Sequence, residues 1–147
     1  MLHYLYRLPN KPDGGSDLSA PVGMVSIPDE SYMHRVPEGA IQVSETPVSE
    51  DESGAFFEAW RLSDNGEVYV DLEVAKEIKL NQLRERRDGL FKDLDRQQFN
   101  AFCSKKTDIV ERIEEEKELL RNVTERIDWD QVNTLEEINY VMPPEMV

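Results

Sequence analysis

Residues 71–127 read DLEVAKEIKLNQLRERRDGLFKDLDRQQFNAFCSKKTDIVERIEEEKELLRNVTERI, and the spacing of their apolar residues decides the fold. Leu80, Leu83, Leu90, Leu94 and Ala101 recur at intervals of three, four and seven, and so do Ile109, Ile113, Leu120, Val123 and Ile127. That period puts one apolar stripe on each of two long amphipathic helices. Between them Ser104-Lys105-Lys106-Thr107 is a turn signal, and Asp108 with Glu111 predicts a capping box that opens the second helix. A helical hairpin follows.

Charge agrees with an antiparallel pair. Residues 76–106 carry nine Lys/Arg against five Asp/Glu, and residues 108–127 carry four against seven. Opposite signs flank one seam, where exposed pairs contribute about 0 to 1 kcal/mol each and select register more than stability. The stripe is interrupted at Arg87, Gln97 and Glu116, and Asp88-Gly89 places a residue about 1 kcal/mol poorer than Ala inside the first helix. Two readings follow: a hairpin bent near Gly89, or polar layers at Arg87 and Glu116 that fix an oligomer.

The first 70 residues read as strands and loops. Leu2, Tyr4, Tyr6 and Leu8 alternate with His3, Leu5 and Arg7, which predicts a first strand, ended by a loop at residues 9–16. Val22 to Ile27 predicts a second strand stopped by Pro28, and Ala40 to Val43 a third after the turn Val36-Pro37-Glu38-Gly39. Glu38 to Glu58 holds six acids and no base, as a solvated loop does, although Ser49 with Glu52 could cap one helical turn.

Glu58 to Val70 is a hairpin with Asn65-Gly66 at its tip. A two-residue turn would set Leu62 against Tyr69; a three-residue loop with Gly66 left-handed pairs Leu62 with Val68 and Trp60 with Val70, and apolar matching favours it. Trp60 is then a core anchor and only secondarily a binding residue. Asp71 ends the strand and can cap the first helix. Near the C-terminus, Thr134 with Glu137 predicts a capping box for a short helix, Leu135 to Val141, ended by Pro143-Pro144. Trp129 could close the hairpin core or face a partner. The tail Met142 to Val147 frays or docks in a groove of a neighbouring chain.

The fold class read from these elements is α+β: a small N-terminal antiparallel sheet in an acidic domain, residues 1–70, then a long antiparallel helical hairpin with a short closing helix, residues 71–147. A formal charge of −14 at pH 7 repels phosphates and argues against nucleic acid and anionic membrane as partners. Residues 1–75 hold fourteen acids against four bases, so most of the excess lies there. Met1 to Leu8 is too short for a signal core, and no stretch approaches the roughly 20 apolar residues of a membrane span.

The residues that carry chemistry elsewhere are scattered here. The seven glycines form no phosphate loop, His3 and His34 have no spaced metal-ligand partners, and Glu114-Glu115-Glu116 diverge around a helix by about 100° each. Arg84, Arg86 and Arg87 are interleaved with Glu85 and Asp88, as on a solvated face, and Asp93 and Asp95 point to different sides. Cys103 is the single cysteine and has no base beside it. The sequence therefore predicts no enzyme, cofactor, metal or small-molecule substrate, and candidate partner contacts at Leu83, Leu90, Leu94, Ile113, Leu120, Val123 and Trp129.

The order of features from residue 36 to 147 resembles a family. Val36-Pro37-Glu38-Gly39-Ala40-Ile41-Gln42-Val43-Ser44-Glu45, Trp60 with the Asn65-Gly66 hairpin, Val70-Asp71 and Ala75-Lys76 are followed by Leu83-Arg84, Arg87, Leu90 and Leu94-Asp95. Then come Lys117, Leu120-Arg121, Ile127-Asp128, Thr134-Leu135-Glu136-Glu137 and Pro143-Pro144. This pattern is similar to small tail-fibre and tail assembly proteins of tailed bacteriophages. The resemblance implies a virion component of the tail, made in the host cytoplasm, that joins tail or tail-fibre proteins, and the apolar stripe implies that it is held there as a homo-oligomer. The alternative it implies is an assembly chaperone released from the mature particle.

Overall fold

The computed structural model describes residues 1–8 and 20–147; the loop expected at residues 9–16 lies outside them. The chain is α+β and divides into two compact units, Met1–Ala75 and Lys76–Val147.

In the first unit, β1 (Leu2–Arg7) is the central strand of a three-stranded antiparallel sheet, between β2 (Val22–Ile27) and β3 (Ile41–Val43). Leu5 lies opposite Met24 on one side and Ile41 on the other. β4 (Trp60–Leu62) and β5 (Val68–Val70) form a separate two-stranded sheet, so the single small sheet expected from the sequence is two. Alternation along β1 also misplaces its core face. Leu5, flanked by polar His3 and Arg7, is fully buried with Val22, Val48, Trp60 and Leu62. Tyr4 is buried on the opposite face, so both faces of the central strand are covered and polarity alone does not choose between them. Tyr6 covers the backbone of Gly23 directly across the ladder, where an added Cβ would come within 2.6 Å of its ring.

The β4–β5 hairpin has the three-residue loop, with Trp60 opposite Val70 and Leu62 opposite Val68. The Ser63 amide donates to the Glu67 carbonyl at 2.8 Å, and Gly66 takes φ +83°, as the bulge of such a loop requires. Arg7 fastens this hairpin to β1 by donating to the Leu62 carbonyl at 2.7 Å and to Asp64 Oδ1 at 3.1 Å. The acidic run is not all solvated loop. A 3₁₀ turn at Ser49–Asp51, with no side-chain cap, carries Asp51 inward, where its carboxylate accepts from the Phe56 amide at 2.9 Å and Trp60 Nε1 at 3.0 Å. Between β2 and β3 the chain forms a 3₁₀ helix, Glu30–Arg35, with Asp29 as N-cap; Arg35 lies 5.0 Å from the Tyr32 ring centre.

α1 (Leu72–Cys103) starts where expected: Asp71 Oδ1 accepts from the Glu73 amide at 3.1 Å. It runs unbroken through Gly89, where an added Cβ would touch nothing within 4 Å. α2 (Thr107–Arg121) departs from expectation at both ends. Its N-cap is Lys106 and no side chain caps it, so the Asp108–Glu111 box does not form, and it stops at Arg121, followed by a 3₁₀ turn at Val123–Arg126.

The reason for the first departure lies in the turn. Lys105 takes φ +58°, its amide donates to the Phe102 carbonyl at 3.0 Å, and the Lys106 amide donates to the Ala101 carbonyl at 2.9 Å. These two bonds are a Schellman C-cap with lysine in the left-handed position usual for glycine. The chain enters α2 at once, before Asp108 can act as a cap.

α3 (Leu135–Tyr140) has the predicted cap, with Thr134 Oγ1 accepting from the Glu137 amide at 3.1 Å. Glu137 returns a bond one residue earlier than in the standard box, accepting from the Asn133 amide at 3.0 Å. The tail neither frays nor projects. Met146 is fully buried with Leu83, Leu120 and Val123, and Val141 packs against the same cluster.

Candidate functional site

The helical unit has two ends of different character. At one, the cluster of Leu83, Leu120, Val123 and Met146 is closed by the tail, which polar side chains of α1 tie down through its backbone. Lys79 Nζ donates to the Asn139 carbonyl at 2.9 Å, and Arg86 Nε to the Met146 carbonyl at 2.8 Å. Burial of the Lys79 ammonium lowers its pKa below the usual lysine value. Arg126 and Glu145 approach to 3.5 Å beside an open groove of about 290 Å³, whose wall includes Val123, Ile127, Val141, Met142 and Pro144.

Toward the other end, polar side chains join the helices. Lys117 Nζ lies 2.5 Å from both Gln98 Oε1 and Asp95 Oδ1, and Gln98 Nε2 donates to the Val110 carbonyl at 3.3 Å and Glu114 Oε2 at 3.2 Å. Nearer the apolar end, Arg87 Nη1 donates to the Arg121 carbonyl at 3.3 Å and Thr124 Oγ1 at 3.4 Å. Arg87 thus bonds within its own chain rather than standing as an open polar layer. Glu114 is held below the ordinary carboxylate pKa by hydrogen bonds from Arg121 and Gln98, and Arg121 is raised by Glu114 and Glu118.

Of the seven candidate contact residues, Leu83, Ile113, Leu120 and Val123 are buried in the single chain. Leu90 and Leu94 are half-buried against the same cluster, and Trp129 is half-buried in the 3₁₀ turn Trp129–Gln131, capped by Asp128. The stripe is brought together as a core. The bare apolar side chains lie elsewhere: Phe99 is 67% exposed, Phe102 71%, and Leu119, Tyr140 and Met142 are also exposed. Phe99 and Phe102 are three residues apart, hence neighbours on α1, and stand off the line of Leu90, Leu94 and Ala101. The sequence reading named neither ring, although this offset from the stripe is the signal that marks them.

Lys105 and Lys106 follow this pair in the turn and enter no ion pair among the described residues. Among the same residues no group of three or more His, Cys, Asp or Glu is placed to hold a metal ion. No helix among them is long and apolar enough to cross a membrane. The chain matches no protein-family profile, no curated protein and no solved structure.

Proposed function

We propose that this chain is a non-catalytic structural or adaptor protein of a bacteriophage tail or tail fibre, acting through protein–protein contacts of its helical hairpin. The observation that carries the contact role is the tip of the hairpin, where Phe99 and Phe102 stand in solvent on a helix whose stripe is already covered. Two neighbouring bare phenyl rings beside two lysines form a surface suited to a partner rather than to water. The tail assignment is supported by the ordered pattern from Val36 to Pro144. Quantitative mass spectrometry of purified particles from the phage that encodes the chain tests it. A fixed copy number per particle is the expected result. Absence from the particle would remove the structural role, and a tail fibre soluble only when co-expressed with this protein would then point to a released assembly chaperone.

A further inference from the structure

A strand can pair on both sides, and β2 is paired on one. It meets β1 alone, residue for residue from Val22 to Ile27 without a bulge. The Leu8 amide donates to the Pro21 carbonyl at 2.7 Å, which fixes the phase of that ladder: Gly23, Val25 and Ile27 exchange bonds with β1. The amides and carbonyls of Met24 and Ser26 therefore point away from the sheet, and they have no hydrogen-bond partner among the described residues. Both residues are exposed.

Two other edges are guarded. In β3 only Gln42 faces outward, and the strand is three residues long. In β4 arginines take the outward carbonyls, Arg7 bonding that of Leu62 at 2.7 Å and Arg61 that of Trp60 at 2.8 Å. Short strands and charged side chains laid over the edge are the usual guards against pairing, and β2 has neither. Residues 20–28, APVGMVSIP, hold no charged side chain, in a chain of net charge −14. Pro21 and Pro28 lack amide hydrogens and confine any new ladder to the residues between them.

We propose that β2 of one chain pairs antiparallel with β2 of a second copy, about a two-fold axis at Val25. Met24 then lies opposite Ser26 on both sides of the axis, each pair exchanging its two backbone bonds, and Val25 lies opposite Val25. The two three-stranded sheets become one continuous sheet. A second copy fits this edge because the strand is complementary to itself and neutral, so two acidic chains meet with no carboxylate facing another across the ladder. The contact is short, so the dimer forms at raised concentration; it is closed, so assembly stops at two chains. It uses neither the hairpin tip nor the tail reading.

Sedimentation of the full-length protein over a range of concentrations tests it. The wild-type mass should rise from 17.1 kDa to twice that and no further. Added salt should not weaken the dimer, since no charge pair crosses the ladder and screening eases the repulsion between acidic chains. M24K/S26K sets lysine opposite lysine and M24E/S26E sets glutamate opposite glutamate, and each alone should lose association by about tenfold. An equimolar mixture sets lysine opposite glutamate and should restore the dimer. F99S/F102S, which strips the hairpin tip, should leave it intact. Circular dichroism melts confirm that each variant stays folded. Amide hydrogen exchange reads the edge with no substitution: the Met24 and Ser26 amides of the wild type should slow by about tenfold at high concentration. A wild-type protein that stays monomeric, or that grows past two chains, overturns the proposal. So does a dimer that survives the lysine variant or is lost with the tip, a mixture that stays monomeric, or unchanged exchange at Met24 and Ser26.

Discussion

The sheet unit and the outer part of the hairpin place their polar groups differently. In the sheet unit, Leu5, Val22, Val48, Trp60 and Leu62 form one apolar core, and the polar side chains that reach inward bond chiefly to backbone and ring donors or acceptors: Asp51 to the Phe56 amide and the Trp60 indole, Arg7 to the Leu62 carbonyl, Arg61 to the Glu58 and Trp60 carbonyls. In the helical unit the apolar cluster sits toward one end, and farther along the hairpin the contacts between α1 and α2 include side-chain links such as Lys117–Asp95 and Gln98–Glu114. A polar group tied to buried backbone is expensive to remove, because its partner is left without water. A polar link that keeps one exposed partner, as buried Lys117 does with exposed Asp95, costs less to break, because water reaches it. The sheet unit is fixed by what cannot be rehydrated, and the outer hairpin by what can.

Substitutions should separate these two regimes. The largest effect is expected from Leu120→Asp, which puts a carboxylate among Leu83, Val123 and Met146: a loss of about 4 kcal/mol or more, read as collapse of the helical circular dichroism signal. Asp51→Ala comes next. It strands the Phe56 amide and the Trp60 indole N–H, so urea unfolding should show a loss of about 3 kcal/mol, far above that of any exposed acid in the same run. If Asp51 behaved like its solvated neighbours, the contrast between the units would lose its sheet side.

Smaller effects sharpen the hairpin side. Lys105→Gly relieves a left-handed lysine in the Schellman turn and should raise stability by about 1 kcal/mol, seen as a shift in the urea midpoint. The smallest effect concerns Glu114, exposed and bonded by Arg121 and Gln98, whose pKa lies below the ordinary 4.5. Its contribution is complete above that value and is lost as pH falls through the lowered pKa. Glu114→Gln should therefore lower stability slightly at neutral pH, converge with wild type at low pH, and so flatten the acid limb of a stability–pH curve.

Most of the fold was legible in local chemistry. Asp64-Asn65-Gly66 with apolar matching set the β4–β5 register, Asp71 and Thr134 marked helix starts, and the periodic leucines marked α1 and α2. Two of the failures come from a partner outside the local stretch, and a third from the conformation of a turn. Asp51 looks like a loop acid until Trp60 folds over it. Leu5 looks like the wrong face until Val48 and the second hairpin cover it. The turn at Lys105 carries no glycine, so its left-handed cap is invisible to residue preference.

The same holds for the candidate surface. The stripe residues Leu83, Leu120 and Val123 were recognised as apolar, but their cover is Met146, which sequence position alone consigns to a fraying end. Phe99 and Phe102 were missed, although their position off the stripe was the signal that could have found them.

The central claim is that the chain's own tail closes the hairpin's apolar end and leaves the tip as its open surface. The urea-unfolding free energy of Met146→Ala tests it most directly. A methionine buried this fully should cost about 2 to 4 kcal/mol when truncated, despite standing next to the last residue. A change within about 0.5 kcal/mol of wild type, as expected of a frayed terminus, would contradict the account.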